Sequence, residues 1–429
     1  MDIRLSPRSA DHGRVSAVAS KSAAHRALIA AALAEGTTHL VCPEKSRDII
    51  ATASSLSSLG ISVTETPDGY DVGSTGSFKR NATLDCGESG TTYRFLLALV
   101  SALGVGASLV GHGRLPERPL SPLYEVLLSG GVSLSPKGSN PLTVSGALDL
   151  SEISFEGNVS SQYASGLLLS LPILARRKGS PVTLTLTGRI ESLPYIDMTL
   201  SVMRDFGVTV TRDLLPSGDI RFTVPPTPYR SRKCYAVEGD YSGAAFCLAA
   251  GAIGKFPVTV MGLDPQSAQG DREILSLLQR FGADVLETEG GIRVSPAPLH
   301  GITVDCAQIP DLVPILAVVG AAAVGETHLV NAGRLRLKES DRLVTVHRMI
   351  ETLGGKIKEG EDFLTVYGSG RLKGGAVYAE NDHRIAMSAA VAALISDEPV
   401  TVLSAECADK SYGRFWEDAR SLGLDTTIL

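Results

Sequence analysis

The chain has 429 residues, a formal net charge of -6 and 44% hydrophobic residues. That length is enough for two or three domains with sizeable cores, and the negative balance leaves no global basic field to attract nucleic acid or an anionic membrane. Six scattered cysteines (Cys42, Cys86, Cys234, Cys247, Cys306, Cys407) form no Cys-x-x-Cys pair, so neither a disulfide framework nor a zinc site organises the fold.

The first residues, Met1-Asp2-Ile3-Arg4-Leu5, are polar and contain no signal-peptide apolar core. The longest apolar stretch, 312–324, is shorter than the ~20 residues of a membrane helix, and Pro314 interrupts its start. It reads as a buried core helix, and a cytoplasmic location is expected.

Along the chain a short ending recurs. A helix-like run closes on glycine and passes into an alternating strand at Gly60, Gly131, Gly207, Gly282, Gly354 and Gly423, a spacing of 69–76 residues. Such a period implies repeated supersecondary units. Upstream of each glycine lies an amphipathic helix: 46–59, 120–128, 196–206, 271–281, 339–353 and 415–422. Each unit also carries a second helix rich in Ala, Gly, Leu and Ser, at 23–34, 92–103, 163–174, 242–253, 312–324 and 385–395. A helix that is apolar all round is buried. Three or four strands complete each unit. The expected fold is therefore α/β, with six repeat units in two domains of three, helices inside and sheets outside. Pro225-Pro226-Thr227-Pro228 lies near the boundary. Residues 14–233 are expected to form the N-terminal domain, and 1–13 plus 234–429 the C-terminal domain.

Each buried helix is entered through a polar segment. Ser20-Lys21-Ser22 and Arg26 place cations beside free helix N–H groups, which reads either as an anion site or as a capped helix with exposed charges. Residues 87–94 form a glycine-bracketed turn that is not a Walker A loop. Arg114 and Arg118 lie in a Pro-stiffened loop suited to clamping a carboxylate or phosphate. Ser160-Ser161-Gln162 and Ser192 through Tyr195 add neutral donors and hydroxyls. Asp311 opens an apolar helix, either as a helix-start charge or as a general base. In Lys338-Glu339-Ser340-Asp341-Arg342 the two cations, four apart, would share one helix face, with Glu339 about 100° round the axis; alone, that also describes a solvated first turn. Arg384 and Lys410 complete a set of cations gathered at helix starts in a net-negative protein. That pattern fits small, multiply charged substrates held between two domains. No metal-ligand set and no dinucleotide fingerprint appear, and no cofactor or metal is expected.

Taken together, segments 20–26, 87–94, 114–119, 160–162, 337–342, 381–384 and 410–412 resemble, in order and across the whole chain, those of the 3-phosphoshikimate 1-carboxyvinyltransferase (enolpyruvylshikimate-phosphate synthase) family. The resemblance implies the enolpyruvyl-transferase fold, two domains of three βαβαββ units each with the active site in the cleft between them. It also implies transfer of the enolpyruvyl group of phosphoenolpyruvate to the 5-hydroxyl of shikimate 3-phosphate, by addition and elimination of phosphate. Carried over by position, Lys21, Ser22, Arg26, Ser160, Ser161, Gln162, Ser192, Asp311 and Lys338 would hold shikimate 3-phosphate. Lys21, Gly90, Arg118, Gln162, Arg342, Arg384 and Lys410 would hold phosphoenolpyruvate, with Arg94 and Tyr195 in support. Asp311, Glu339 and Lys21 would carry the proton transfers. A monomer is expected.

Three positions depart from the commonest pattern of that family: Glu88 and Arg334 stand where Asn is frequent, and Gly413 where Pro is frequent. Gly90 keeps the small residue of members sensitive to glyphosate. The sister enolpyruvyl transferases acting on a UDP-aminosugar use a cysteine in a loop that here, at 111–119, contains none.

Overall fold

The computed structural model describes residues 1–8 and 12–429. By internal contacts the chain divides into a first unit, Lys21–Val237, and a second unit, Met1–Ser20 with Glu238–Leu429. These dividing points differ from 13/14 and 233/234, and strand pairing gives the reason. Gly13–Ser16 runs parallel to Val258–Met261 and so goes with the second unit. Cys234–Ala236 runs parallel to Gly36–Val41 and so goes with the first. Residues 9–11, part of the 1–13 segment assigned from sequence to the C-terminal domain, lie outside the described residues.

The first unit contains helices α1 (Lys21–Leu33), α2 (Arg47–Ser58), α3 (Gly90–Leu103), α4 (Leu123–Ser129), α5 (Ser161–Lys178) and α6 (Leu193–Asp205). The second contains α7 (Tyr241–Ile253), α8 (Ile274–Phe281), α9 (Val313–Ala322), α10 (Arg342–Thr352), α11 (His383–Ala392) and α12 (Phe415–Asp418). The odd-numbered helices up to α11 are the small-residue ones, and they are buried on nearly every side. In α7, all residues but Ser242 are buried, and in α9 all but Ala322. Small side chains let neighbouring helices approach closely, so α3 packs on α5, and α9 packs on both α7 and α11.

Among the described residues there are six four-stranded sheets, and all share one plan. Glu152–Glu156 lies parallel to Val182–Thr187, with α5 as the crossover; α6 then leads into the hairpin Thr211–Leu214/Ile220–Val224, whose second strand returns antiparallel beside Val182–Thr187. The register sets Ile153 beside Leu184 and Leu184 beside Phe222, one apolar row on the inner face. Along Glu152–Glu156 exposed and buried residues alternate, as in a sheet with one face in solvent. The N-terminal segment completes two sheets of the second unit. Ile3–Pro7 sits between Val400–Leu403 and Leu424–Ile428, and Gly13–Ser16 fills the first position of another sheet.

The six repeat glycines all have left-handed φ, for example +114° at Gly282 and +80° at Gly354, which is what turns the chain from helix into strand. Helix starts are fixed by side-chain caps. Ser89, Asp240, Asp341 and Asp382 accept from the backbone N–H of Thr92, Gly243, Val344 and Arg384 respectively. Two sequence boundaries move. The helix expected at 312–324 ends at Ala322, and Val324 starts the strand Val324–Val330. The helix expected from 339 begins at Arg342, because Asp341 is its cap. Among the described residues no helix is long and apolar enough to cross a membrane.

Candidate active site

In the first unit, the polar residues gather at the N-terminal ends of α1, α3 and α5. Lys21, the first residue of α1, donates from Nζ to Asp48 Oδ2 at 3.0 Å. Asp48 stands in the first turn of α2, and its backbone carbonyl accepts from Thr92 Oγ1 on α3 at 3.4 Å. Gly90 opens α3 beside two guanidinium groups. A Cβ there would lie 2.7 Å from Arg94 Nη1 and 2.9 Å from Arg118 Nη1, so only glycine leaves those groups where they are. Arg94 Nη1 donates to Gln162 Oε1 at 2.7 Å and its Nη2 to the carbonyl of Pro119 at 3.0 Å; Gln162 Nε2 donates to Thr91 Oγ1 at 2.9 Å. Gly90, Arg118 and Gln162 thus converge around Arg94. Ser160 caps α5 and Ser161 is its first residue, so both stand next to Gln162 in the chain.

Arg26 belongs to a second group in this unit. Its side chain is 2% exposed. It donates to Thr199 Oγ1 (2.7 Å), the Ser22 carbonyl (2.6 Å), Ser165 Oγ (3.2 Å) and the Tyr195 carbonyl (2.9 Å), and lies over the Phe95 ring. Burial lowers this guanidinium to about 10, which still leaves it charged at neutral pH. Ser192, also buried, precedes α6 with a left-handed φ of +55°, a conformation a non-glycine residue holds only where its surroundings impose it. His25 is buried with Nδ1 2.7 Å from Thr52 Oγ1; burial first, then the charges of Lys21 and Arg26, push it well below the usual histidine range, so it stays neutral.

In the second unit the charges are more tightly connected. Asp311 lies in the 3-10 turn Pro310–Leu312 just before α9, not inside the helix. Its Oδ1 accepts from Lys338 Nζ at 3.1 Å and Arg342 Nη1 at 2.9 Å. Arg384 Nη2 lies 3.5 Å from its Oδ2, and Arg384 Nη1 donates to its backbone carbonyl at 2.9 Å. Lys338 and Arg342 therefore meet, but not by sharing a helix face. Lys338 follows the 3-10 turn Gly333–Leu337 and Arg342 starts α10, and both reach a carboxylate contributed by a third element. Burial lowers the Lys338 ammonium.

Arg342 is 1% exposed and meets two further carboxylates, Glu339 Oε2 at 2.8 Å and Asp382, through Nε to Oδ2 at 2.8 Å and Nη2 to Oδ1 at 3.1 Å. Burial alone would lower Arg342; Asp382, Glu339 and Asp311 outweigh it and hold the guanidinium above the usual arginine range. Burial likewise works against the charge of Asp382, but Arg342 holds its carboxyl below the usual range. Lys410 joins from the side. Its Nζ donates to the carbonyl of Asn381 at 2.9 Å, in a turn where Glu380 and Asn381 both have positive φ. Tyr412 points into the core instead, donating to Asp418 Oδ2 at 2.8 Å and packing on Phe415.

Sequence reasoning passed over several members of these clusters. Asp382 was visible only as part of a polar segment, although an Asp immediately before a buried helix is a cap signal. Asp48, Ser242, Asp271 and Arg336 gave no signal that sets them apart from ordinary surface residues. Arg336 Nη1 contacts both oxygens of Asp341 (3.2 and 3.0 Å) and Nη2 reaches Glu359 Oε1 at 2.9 Å, which fixes the start of α10. Among the described residues no group of three or more His, Cys, Asp or Glu could hold a metal ion.

The sequence profile of the family described as EPSP synthase (3-phosphoshikimate 1-carboxyvinyltransferase) matches residues 5–419. A 3-phosphoshikimate 1-carboxyvinyltransferase of Clostridium kluyveri is 38% identical over 417 residues, covering 96% of this chain and 95% of the relative. One of Clostridioides difficile is 36% identical over 426 residues, covering 96% and 95%. A solved EPSP synthase of Acinetobacter baumannii superposes with a TM-score of 0.80 at 26% identity, with both chains covered completely.

Proposed function

The chain belongs to the EPSP synthase family, and from that premise we propose that the two polar clusters are the two halves of one enolpyruvyl-transfer site. The protein is a transferase of the shikimate pathway, on the route to chorismate and the aromatic amino acids. It moves the enolpyruvyl group of phosphoenolpyruvate to the 5-hydroxyl of shikimate 3-phosphate and releases phosphate.

In this reading Lys21, Ser22, Arg26, Ser160, Ser161, Gln162, Ser192, Asp311 and Lys338 hold shikimate 3-phosphate. Lys21, Gly90, Arg118, Gln162, Arg342, Arg384 and Lys410 hold phosphoenolpyruvate, with Arg94 and Tyr195 in support. The carrying observation is the convergence of Lys338, Arg342 and Arg384 on the carboxyl of Asp311, with Glu339 on the same arginine. Anionic substrates would compete with Asp311 for those cations. A carboxylate that loses cationic partners becomes a stronger base, so substrate binding itself would ready Asp311 to take the proton of the 5-hydroxyl. Glu339 delivers a proton to the vinyl CH2 carbon, the adjacent enol carbon gains cationic character, and the hydroxyl oxygen attacks it. In the elimination Glu339 takes a proton back from the new methyl group as the C–O bond to phosphate breaks. Lys21 is the other candidate for part of this proton traffic. Preorganised cations stabilise the charge that develops on the leaving phosphate, and closure of the two domains around the substrates would exclude water. The protein acts as a cytoplasmic monomer without a cofactor, nucleic acid or membrane partner.

The test is phosphate release from phosphoenolpyruvate by the purified protein. Release that requires shikimate 3-phosphate is expected. No release, or release that requires a UDP-aminosugar, overturns the reading.

A further inference from the structure

Asp271 lies in the 3-10 turn Gly270–Glu273 before α8 and joins the charge cluster of the second unit through Ser242. It is 3% exposed. Its Oδ2 accepts from Ser242 Oγ at 2.5 Å, and Ser242 Oγ in turn accepts from Arg384 Nη2 at 2.6 Å. The hydroxyl has one proton to give, and it gives it to the carboxylate, which leaves its lone pairs for the guanidinium. Arg384 is thereby tied on one side to the Ser242–Asp271 pair and on the other to the carbonyl of Asp311.

The anchor is itself held rigidly. Two residues before Asp271, Gln269 Oε1 accepts from the backbone N–H of Tyr241 at 3.0 Å and Gln269 Nε2 donates to the Gly239 carbonyl at 2.8 Å. Gln269 and Asp271 thus grip the start of α7 together, Gln269 at Gly239 and Tyr241 and Asp271 at Ser242. The other carboxylate oxygen, Asp271 Oδ1, is buried with no hydrogen-bond partner among the described residues. A buried carboxylate with a vacant oxygen is costly, and a chain that needed only a helix start there could use an apolar residue.

We infer that Asp271, acting through Ser242, is a positioning residue for Arg384: it fixes the orientation in which the guanidinium meets the carboxylate or phosphate of phosphoenolpyruvate. This rests on the enolpyruvyl-transfer reading for the identity of the anion, but not for the geometry. Burial, and then the charge of Asp311, push the Asp271 carboxyl up to about 6, so it is mostly ionised at neutral pH and sustains the chain of bonds.

The experiment compares Ser242→Ala, Asp271→Asn and the double variant with the wild-type protein. Steady-state phosphate release should show the KM for phosphoenolpyruvate raised about tenfold in Ser242→Ala, in line with the loss of a charge-assisted hydrogen bond, while the KM for shikimate 3-phosphate stays within about twofold. Because the two residues act in series, the double variant should be no worse than Ser242→Ala alone. Multiplying effects, or equal rises in both KM values, overturn the inference. So does a lowered melting temperature with both KM values unchanged, the mark of a purely structural role. A second arm needs no substrate: labelling with phenylglyoxal followed by peptide mapping should modify Arg384 severalfold faster in Ser242→Ala and Asp271→Asn. Unchanged labelling overturns the positioning role even if the wild-type protein turns over normally. Faster labelling in a protein that releases no phosphate would uphold it and overturn only the enolpyruvyl-transfer reading.

Discussion

Removing the carboxylate of Asp382 should destabilise the second unit more than most single substitutions. Asp382 is fully buried and accepts four hydrogen bonds: two from Arg342, one from Ser340 Oγ at 3.0 Å and one from the backbone N–H of Arg384 at 3.0 Å. Truncating one member of a buried ion pair typically costs about 3–5 kcal/mol, because the other charge stays behind unpaired. Arg342 keeps Asp311 and Glu339 as partners, which moves the expectation for Asp382→Ala to the lower end, about 3 kcal/mol. Asp382→Asn keeps the shape and one acceptor oxygen for the cap, and should cost roughly half of that. For a unit of this size about 3 kcal/mol corresponds to a fall of roughly 6–12 °C in melting temperature.

The assay is favoured by composition. Trp416 is the single tryptophan of the chain and lies in the second unit, stacked edge-on to Phe415 and bonded to the Ala405 carbonyl. Its fluorescence therefore follows the unfolding of that unit. Asp397→Ala serves as the reference, since it removes an ion pair to Arg371 in which both side chains are more than half exposed, a change worth about 0–1 kcal/mol. If Asp382→Ala shifts the Trp416 transition no further than Asp397→Ala does, the buried network is not a determinant of stability. The pH dependence has a definite sign. Asp382 is held below its usual range when folded, so its contribution is present at neutral pH and is lost as pH falls below about 4, the unfolded value. The gap between wild type and Asp382→Asn should narrow there.

Four other outcomes follow from the same geometry. Glu339→Gln should slow turnover by roughly 10²–10⁴-fold with both KM values little changed, measured by phosphate release; near-normal turnover would remove Glu339 from proton transfer. Gly90→Ala should raise the KM for phosphoenolpyruvate about tenfold without altering the melting temperature, because the new methyl group meets only the ends of the Arg94 and Arg118 side chains; an unchanged KM would contradict this. With glycine at that position, glyphosate should inhibit the wild-type protein, and turnover unaffected at high inhibitor concentration would refute it. Asp271, raised to about 6 by burial and by Asp311, and lowered in part by Arg384 and Ser242, titrates in the sense opposite to Asp382. Its folded value lies above the unfolded one, so stability falls as pH rises from about 4 to about 6. Asp271→Asn should gain on wild type across that interval, and a constant difference by Trp416 fluorescence would count against the assignment.

The architecture was legible because each repeat carries its own punctuation. Glycine at the six helix ends and the alternation between small-residue and amphipathic helices are local signals, and each of those glycines does adopt the left-handed φ. The closure of the sheets was harder to read. Gly13–Ser16 and Cys234–Ala236 are short strands far in sequence from their partners, and the contact that assigns each of them to a unit is non-local. Where a 3-10 turn runs directly into the helix the start shifted, by three residues to Ile274 after Asp271 and by one to Val313 after Asp311.

The segment 338–342 shows where sequence periodicity stops being a guide to a charged cluster. A helical wheel places Lys338 and Arg342 together for the wrong reason: the helix does not begin until Arg342. What joins them is Asp311, 27 residues before Lys338 and in a different repeat element. Each of the four clustered cations in this unit is held by a carboxylate, carbonyl or hydroxyl from elsewhere in the chain: Lys338 by Asp311, Arg342 by Asp382, Lys410 by Asn381, Arg384 by Ser242 and Asp311. A cation held in this way loses little conformational entropy when an anion arrives, and on the proposed mechanism a carboxylate already surrounded by cations would give up some of them to that anion. The sequence could show that cations gather at helix starts. It could not show that their partners come from other elements and, for Arg342 and Arg384, from other repeats, and on the proposed mechanism those partners decide which cation is fixed in place and which carboxylate is released to act as a base.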